Sequence, residues 1–262
     1  TPIQGNPVAM LLDGNQLVVI STVYTWNIDE DDPLQDSMGW TGDWYGWRTN
    51  SLTKFSVYNV SNSSSPDLTR ELYIEGYYMT AREVSGTVRT VTHTWMNIPD
   101  LRTWINYPDG YWDAGYSEKE RRNMREVAAL DAMEHNLNVL NEIRLKDIIP
   151  QVHERVDDQI FTHHMSNDGC SDFATPEDAL SRGYTSIFTI DLTSDDLEFE
   201  ADHIVGNWPQ VYASENQLII TESAWDWWWF WGHDEMMEST NIHTFDISGA
   251  GETAYAGSGR VE

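Results

Sequence analysis

A single cysteine, Cys170, stands in 262 residues, so no internal disulfide framework can form. Cations are nearly as scarce. Fifteen Lys and Arg, of which three are Lys, face 43 Asp and Glu, for a formal net charge of −28. Phosphate backbones are bound by clustered Lys and Arg, and that deficit excludes a nucleic-acid partner. No apolar run approaches the 18 or so residues of a membrane-spanning helix. The chain begins at Thr1 with no charged and apolar leader pattern, which predicts either a removed leader or an excised segment. A Lys-poor, acidic surface keeps a protein soluble through its net charge and suits a salty or calcium-containing exterior. The expected location is therefore secreted, periplasmic or cell-surface.

What the chain has in excess is tryptophan, 13 residues, within a 12% aromatic fraction that is hard to leave solvated in a disordered chain. It also repeats itself. Lys54–Ser61, Ile187–Ser194 and Ile242–Gly249 each alternate apolar and polar residues and end in a turn signal, the pattern of a half-buried strand. A second strand lies upstream of each, at Gly14–Thr22, Gly86–Thr92 and Glu215–Glu222. The first and third of these share Asn-Gln-Leu followed by an apolar run (Asn15-Gln16-Leu17 and Asn216-Gln217-Leu218). Tight turns join these to earlier strands at Pro7–Leu12, Tyr78–Val84 and Pro209–Ala213. A fourth strand closes each unit: Leu68–Glu75, Leu197–Val205 and Thr253–Glu262. Four antiparallel strands recurring in order over approximately 6–76, 77–206 and 207–262 predict an all-β fold with a helical insertion at 95–185, a β-propeller of which about three blades are visible. Three blades are fewer than close a ring, so the remaining blades of a larger propeller, or completion by association, are expected.

Several stretches resemble a known family. They are Lys54–Val60 with Asn62–Pro66 and Glu71–Gly76; the helical stretch ending Asn141–Pro150; Cys170–Pro176 leading into Ser186–Leu192; and Asp226–Trp231 with Ile242–Ile247 and Ala256–Val261. Together they look like the bacterial and archaeal secreted proteins that carry a C-terminal β-propeller domain. The resemblance implies an exported propeller. That family has no established biochemical activity, so no catalytic residue carries over.

Parity places the tryptophans. In a four-strand meander, the connection between the second and third strands lies at the same edge as the link to the next blade. Those connections are the long ones, 23–52, 93–185 and 223–240, and twelve of the thirteen Trp fall inside them, with Trp208 just after the link at Gly206. The candidate aromatic binding face comprises Trp40, Trp44, Trp47, Trp112, Trp225, Trp227, Trp228, Trp229 and Trp231. Such a face suits a protein or glycan partner. The competing reading is that loops of this length pack on themselves and use Trp as their own small core. A run such as Asp226–Trp231 cannot bury every ring on one side, which leaves some exposed.

The second insertion carries a helix. Ser117 N-caps it, Glu118 and Glu120 favour its N-terminal dipole, and apolar positions from Met124 to Ile143 keep helical spacing to about Lys146, before Pro150. Its apolar side needs a partner, either the propeller or a second copy.

Chemistry is harder to find. His153, His163, His164 and Cys170 lie close in sequence, yet neither HExxH nor paired CxxC accompanies them. Asp29, Glu30, Asp31, Asp32 and Asp36 suggest calcium, but Pro33 and the missing DxDxDG phasing break an EF-hand loop. There is no GxSxG, and no metal ligand or catalytic set is assigned. The expected function is a non-enzymatic exported scaffold presenting a Trp-rich, acidic loop face, without a cofactor unless calcium. The alternatives are an extracellular hydrolase with its site among the same loops, and a purely architectural propeller.

Overall fold

The computed structural model describes residues 2–38, 48–84, 86–113, 115–165, 172–176, 182–191, 194, 197–223, 239–249 and 251–261. Alternating sequences joined by short turns pair with their neighbours, and three antiparallel sheets result. The first runs β1 (Asn6–Asp13), β2 (Gln16–Tyr24), β3 (Ser51–Asn59) and β4 (Asp67–Glu75). The second has β5 (Tyr77–Val84), β6 (Thr87–Trp95), β10 (Gly183–Asp191) and β11 (Phe199–Gly206). The third is β12 (Pro209–Ala213), β13 (Gln217–Ser223), β14 (Thr240–Asp246) and β15 (Ala254–Val261). The all-β class and the helical insertion are as the sequence predicts.

Each sheet packs its broad face on the next. Phe55, Val57, Leu72 and Ile74 of the first meet Val88, Phe188 and Ile190 of the second in one buried cluster, with Phe55 and Phe188 edge to face at 6.3 Å. Val91, Ile187 and Ile204 on the second sheet's opposite face join Leu218, Ile220 and Phe245 of the third. The middle sheet is thus apolar on both faces, which explains why β10 is buried along nearly its whole length. A fully buried Phe188 contributes about 2–3 kcal/mol by area. Arg89, from the start of β6, crosses to the third sheet and donates to the Glu252 carbonyl (2.9 Å) and Thr253 Oγ1 (3.3 Å).

The insertion departs from the expectation that it belongs wholly to the second unit. Its hairpin β7 (Gln151–Val156) and β8 (Gln159–His164) adds to the outer edge of the first sheet, β7 pairing with β4 from Glu71↔Arg155 to Ile74↔Val152. A two-residue strand, β9 (Phe173–Ala174), runs parallel to β11. The sheets therefore hold six, five and four strands. An exposed sheet edge offers unpaired backbone groups, and the inserted hairpin covers one of them.

Within 25–50, the described segment folds back over the outer face of the first sheet. Ile28, Leu34 and Met38 pack on Val23, Leu52 and Tyr73, so the described part of this loop fills itself with apolar groups. A short helix, α1 (Pro33–Ser37), begins there. The long insertion helix α2 (Glu118–Glu142) has the expected Ser117 cap, with Glu120 returning the bond to the Ser117 backbone. It stops four residues short of the expected end, and α3 (Leu145–Ile148) follows as a separate turn. Among the described residues no helix is long and apolar enough to cross a membrane.

Candidate functional site

The register places the ends of β2, β4, β6, β11 and β13 at one end of the sheets. Tyr24 faces Ser51 and Leu52 faces Glu75 in the first; Trp95, Gly183 and Gly206 stand abreast in the second; Ser223 faces Thr240 in the third. Aromatic side chains gather at that end. Tyr24 and Trp26 stack with centroids 4.7 Å apart and planes 9° from parallel. Trp95, the last residue of β6, lies 6.0 Å from Trp208 at 28°, and Tyr77 meets Trp208 edge-on at 5.8 Å. Both indoles remain nearly half exposed, Trp95 at 44% and Trp208 at 45%.

His93 holds this pair from below. Its ring is fully buried and presents to Trp95 at 4.8 Å and 85° and to Trp208 at 5.1 Å and 65°. Two glycines make the room. A Cβ on Gly183 would stand 2.7 Å from the Thr94 carbonyl oxygen and 2.8 Å from His93 Cε1 and Nε2, while one on Gly206 would meet Glu222 Oε2 at 2.0 Å. Neither glycine has a positive φ, so space rather than backbone conformation selects them. Glu222 Oε2 accepts from the Asn207 backbone N–H. Its other oxygen lies 3.7 Å from His243 Nε2, too far for a hydrogen bond. Burial drives the His93 pKa down to about 4, against the opposing charge of Glu222, so the imidazole beneath the indoles is neutral.

A second buried polar set closes the same end of the first sheet. Glu75 Oε1 accepts from Arg48 Nη2 and from His153 Nε2 (3.3 Å), and Glu75 Oε2 from the Gln151 backbone N–H (3.1 Å). Arg48 also donates to Gln151 Oε1 at 2.6 Å. Burial alone raises the Glu75 pKa, but the His153 hydrogen bond and the Arg48 charge prevail and hold it below the ordinary carboxylate value. Glu75 thereby ties the inserted hairpin to the first sheet.

Of the candidates read from sequence, Trp112 is the one described. It is 78% exposed and stands edge-on to Tyr111 at 4.8 Å, itself stacked on Tyr107 at 4.4 Å. This aromatic knot belongs to the insertion. Trp40, Trp44, Trp47, Trp225, Trp227, Trp228, Trp229 and Trp231 lie outside the described residues. Trp95 and Trp208, which the sequence placed at this end but left out of the candidate set, are the pair that the fold brings together. The signal for it was present: Trp95 ends an alternating strand and Trp208 follows the link glycine.

The suspected metal sets resolve otherwise. His163 and His164 are adjacent on β8 and project to opposite faces. His163 Nε2 is 3.4 Å from Glu154 Oε2, His164 contacts Gln151, and Cys170 lies outside the described residues. Asp32 caps α1 through the Leu34 N–H (2.9 Å) and takes the Arg155 guanidinium on both oxygens at 2.8 and 2.9 Å, which occupies it. Among the described residues no three His, Cys, Asp or Glu converge as a metal site.

Two groups give opposite pH dependences. His93 is protonated in the unfolded chain below about 6.5, but in the fold only near 4, so stability falls as pH drops across that interval. Burial and the charges of Glu200 and Asp172 raise Asp202 to about 6, and its contribution is largest in acid and is lost as pH rises through 6. The two act against each other in the parent. Asp202→Asn is therefore expected to stabilise the chain at pH 8, by about 1 kcal/mol once the shift is discounted for the solvent screening of a partly exposed carboxyl, and to steepen its loss of stability between pH 6.5 and 4. Urea midpoints at three pH values read both effects, and a variant profile parallel to the parent's contradicts the assignment.

A family model described as Beta propeller domain matches residues 2–262. A comparison with curated proteins finds no match.

Proposed function

Because this chain belongs to the β-propeller domain family, we propose that it serves as an exported, non-enzymatic scaffold that binds a neutral glycan on the loop end of its sheets, at the Trp95–Trp208 pair. The observation that carries this reading is a pair of nearly parallel, half-exposed indoles backed by the buried His93 ring. Flat aromatic faces offer large contact area at small entropic cost, and rings already braced lose little freedom when a ligand stacks on them. The net charge of −28 disfavours polyanionic ligands, which leaves uncharged sugar polymers as the fitting class. Trp112, on its Tyr107–Tyr111 knot in the insertion, is a further exposed ring of the same chemistry.

An array of neutral oligosaccharides followed by calorimetry on the positives tests this. Trp208→Ala is expected to raise the dissociation constant at least tenfold, while changing the thermal midpoint little because the ring is half exposed. If no glycan binds, or if Trp208→Ala lowers stability and leaves affinity unchanged, the platform is structural and the reading fails. Binding confined to a protein partner would also overturn it.

A further inference from the structure

Two Asn-x-Ser sequons occur in the chain, Asn59-Val60-Ser61 and Asn62-Ser63-Ser64, and both fall where β3 turns into β4. Every residue from Ser61 to Thr69 is exposed. In each sequon the Asn side-chain oxygen accepts the backbone N–H two residues on. Ser61 N–H donates to Asn59 Oδ1 at 2.9 Å, and Ser64 N–H to Asn62 Oδ1 at 3.2 Å. A backbone N–H can only donate, so this bond fixes which amide atom faces inward and turns Nδ2 away from the turn.

The two motifs differ in what else explains them. The place of Asn59 in the other two repeats is taken by Asp191 and Asp246, in Asp191-Leu192-Thr193 and Asp246-Ile247-Ser248. Asp246 Oδ1 accepts from the Ser248 N–H at 2.8 Å, so an acidic side chain closes the same turn. Asn59 is also the last residue of β3, paired with Gln16 and Asp67, and the Val60 N–H after it donates to the Asn15 carbonyl (2.7 Å). Turn formation accounts for it. Asn62 lies past the strand, where the other repeats carry Ser194 and Gly249, and its carbonyl accepts from Ser65 N–H (3.0 Å) within the turn itself. In a chain with 43 Asp and Glu, Asp would close this turn equally well, as Asp32 and Asp246 close theirs. What Asn62 adds is the amide nitrogen.

We infer that Asn62 is an N-glycosylation site, which takes an oligosaccharide from a polyprenyl-phosphate-linked donor at a membrane transferase. Asn62 Nδ2 attacks C1 of the first sugar. The Nδ2–C1 bond forms, the bond from C1 to the phosphate oxygen breaks, the polyprenyl phosphate leaves with the electron pair, and the Nδ2 proton passes to a base of the transferase. The transferase must draw Asn62, Ser63 and Ser64 into its own cleft, and an exposed turn outside the strand ladder yields them without breaking a sheet bond. The site is also well placed. Gln16 pairs with Asn59 and Tyr24 with Ser51, so the aromatic end of the first sheet lies eight residues, roughly 26 Å, away along the strand. A glycan on Asn62 adds bulk and solvation at the short-turn end and leaves Trp95 and Trp208 clear.

This inference rests on the export proposed above and not on the binding of a glycan ligand, and two measurements keep them apart. In the first, the folded full chain is incubated with a single-subunit transferase that requires only Asn-x-Ser/Thr and with a polyprenyl-diphosphate-linked oligosaccharide, and the intact mass is read. A gain of one glycan per chain is expected. Asn62→Gln and Ser64→Ala should each cut the modified fraction about tenfold or more, Ser64→Thr should keep it, and Asn59→Gln should leave it within about twofold. Ser64→Ala retains the backbone N–H that closes the turn, so a purely structural role of the motif would not respond to it. These exposed changes should leave the thermal midpoint unaltered. A folded chain that gains no mass overturns the inference, whether or not a peptide of residues 57–69 is modified, and so does modification at Asn59 in place of Asn62. In the second, the protein is isolated from outside the cells that make it, and the proteolytic peptide containing Asn62 is weighed. Glycan mass on that peptide is the expected result. An external chain with bare Asn62 overturns the inference and leaves export standing, whereas a chain found only inside the cells overturns export and the inference with it.

Discussion

Replacing Glu75 by alanine is expected to destabilise the chain by about 3–5 kcal/mol, the usual cost of leaving a buried charge without its partner. Glu75 is 1% exposed, and its two oxygens serve three groups: Arg48, His153 and the Gln151 backbone N–H. Without it, the guanidinium of Arg48 keeps Gln151 but loses its counter-ion, and the Gln151 amide loses its acceptor. The damage is also directional. Those groups connect β4 to β7, so amide exchange over 151–164 should quicken more than exchange over 16–24, which remains paired within the first sheet. Replacing Glu75, Arg48 and His153 together by Leu, Met and Leu should recover much of the loss, because an apolar set of similar volume carries no unpaired charge. The lowered pKa adds a pH signature. The Glu75 contribution is present above the ordinary carboxylate value and is lost as pH falls below it, through its depressed folded value. Denaturant titrations of the single and triple variants measure this. A single-variant loss under about 1 kcal/mol would show that the network adds nothing beyond solvated surface charges.

Gly183→Ala is expected to cost about 3 kcal/mol, at the upper end of what overpacking one methyl produces. The nearest obstacle, 2.7 Å from the new Cβ, is the backbone carbonyl of Thr94 on the paired strand β6, which cannot retreat without breaking the ladder. The next is the His93 ring at 2.8 Å, which is fully buried and already packed against Trp95 and Trp208. The same substitution should also lower affinity at the Trp95–Trp208 pair, since both indoles rest on His93. Gly206→Ala is the informative contrast. Its obstacle is the carboxylate of Glu222, the end of a side chain that can swing, so the stability cost should be smaller and fall on the Glu222–Asn207 contact. Thermal midpoints and glycan calorimetry on both variants separate the effects. Equal small losses in the two would remove the steric account of why glycine occupies these positions.

Much of the architecture was legible because its determinants are local. Strand alternation is written into consecutive residues, as in Lys54–Val57, and the tight joins Asp13–Gly14 and Ser214–Asn216 are short-range turn chemistry. The N-terminus of α2 is equally local, since Ser117 and Glu120 satisfy each other's backbone within one turn. The β7–β8 hairpin shows where such reading stops. Gln151–Val156 and Gln159–His164 alternate around a turn at Asp157, whose φ is 54°, and the hairpin itself could have been recognised. Its histidines drew attention to metal instead. No local pattern could say that it would join the first sheet, because every exposed strand edge offers the same backbone donors and acceptors.

By itself, then, the sequence determined the class of the fold, the order of its strands and the start of its helix, since alternation, turn chemistry and capping act over a few residues. The tertiary structure alone decided which edge the inserted hairpin covers, that Asp32 serves Arg155, and that Trp95 and Trp208 meet over His93. Those outcomes depend on side chains as much as 123 positions apart finding complementary shape and charge, as Asp32 and Arg155 do. Such fits exist only once the sheets have packed.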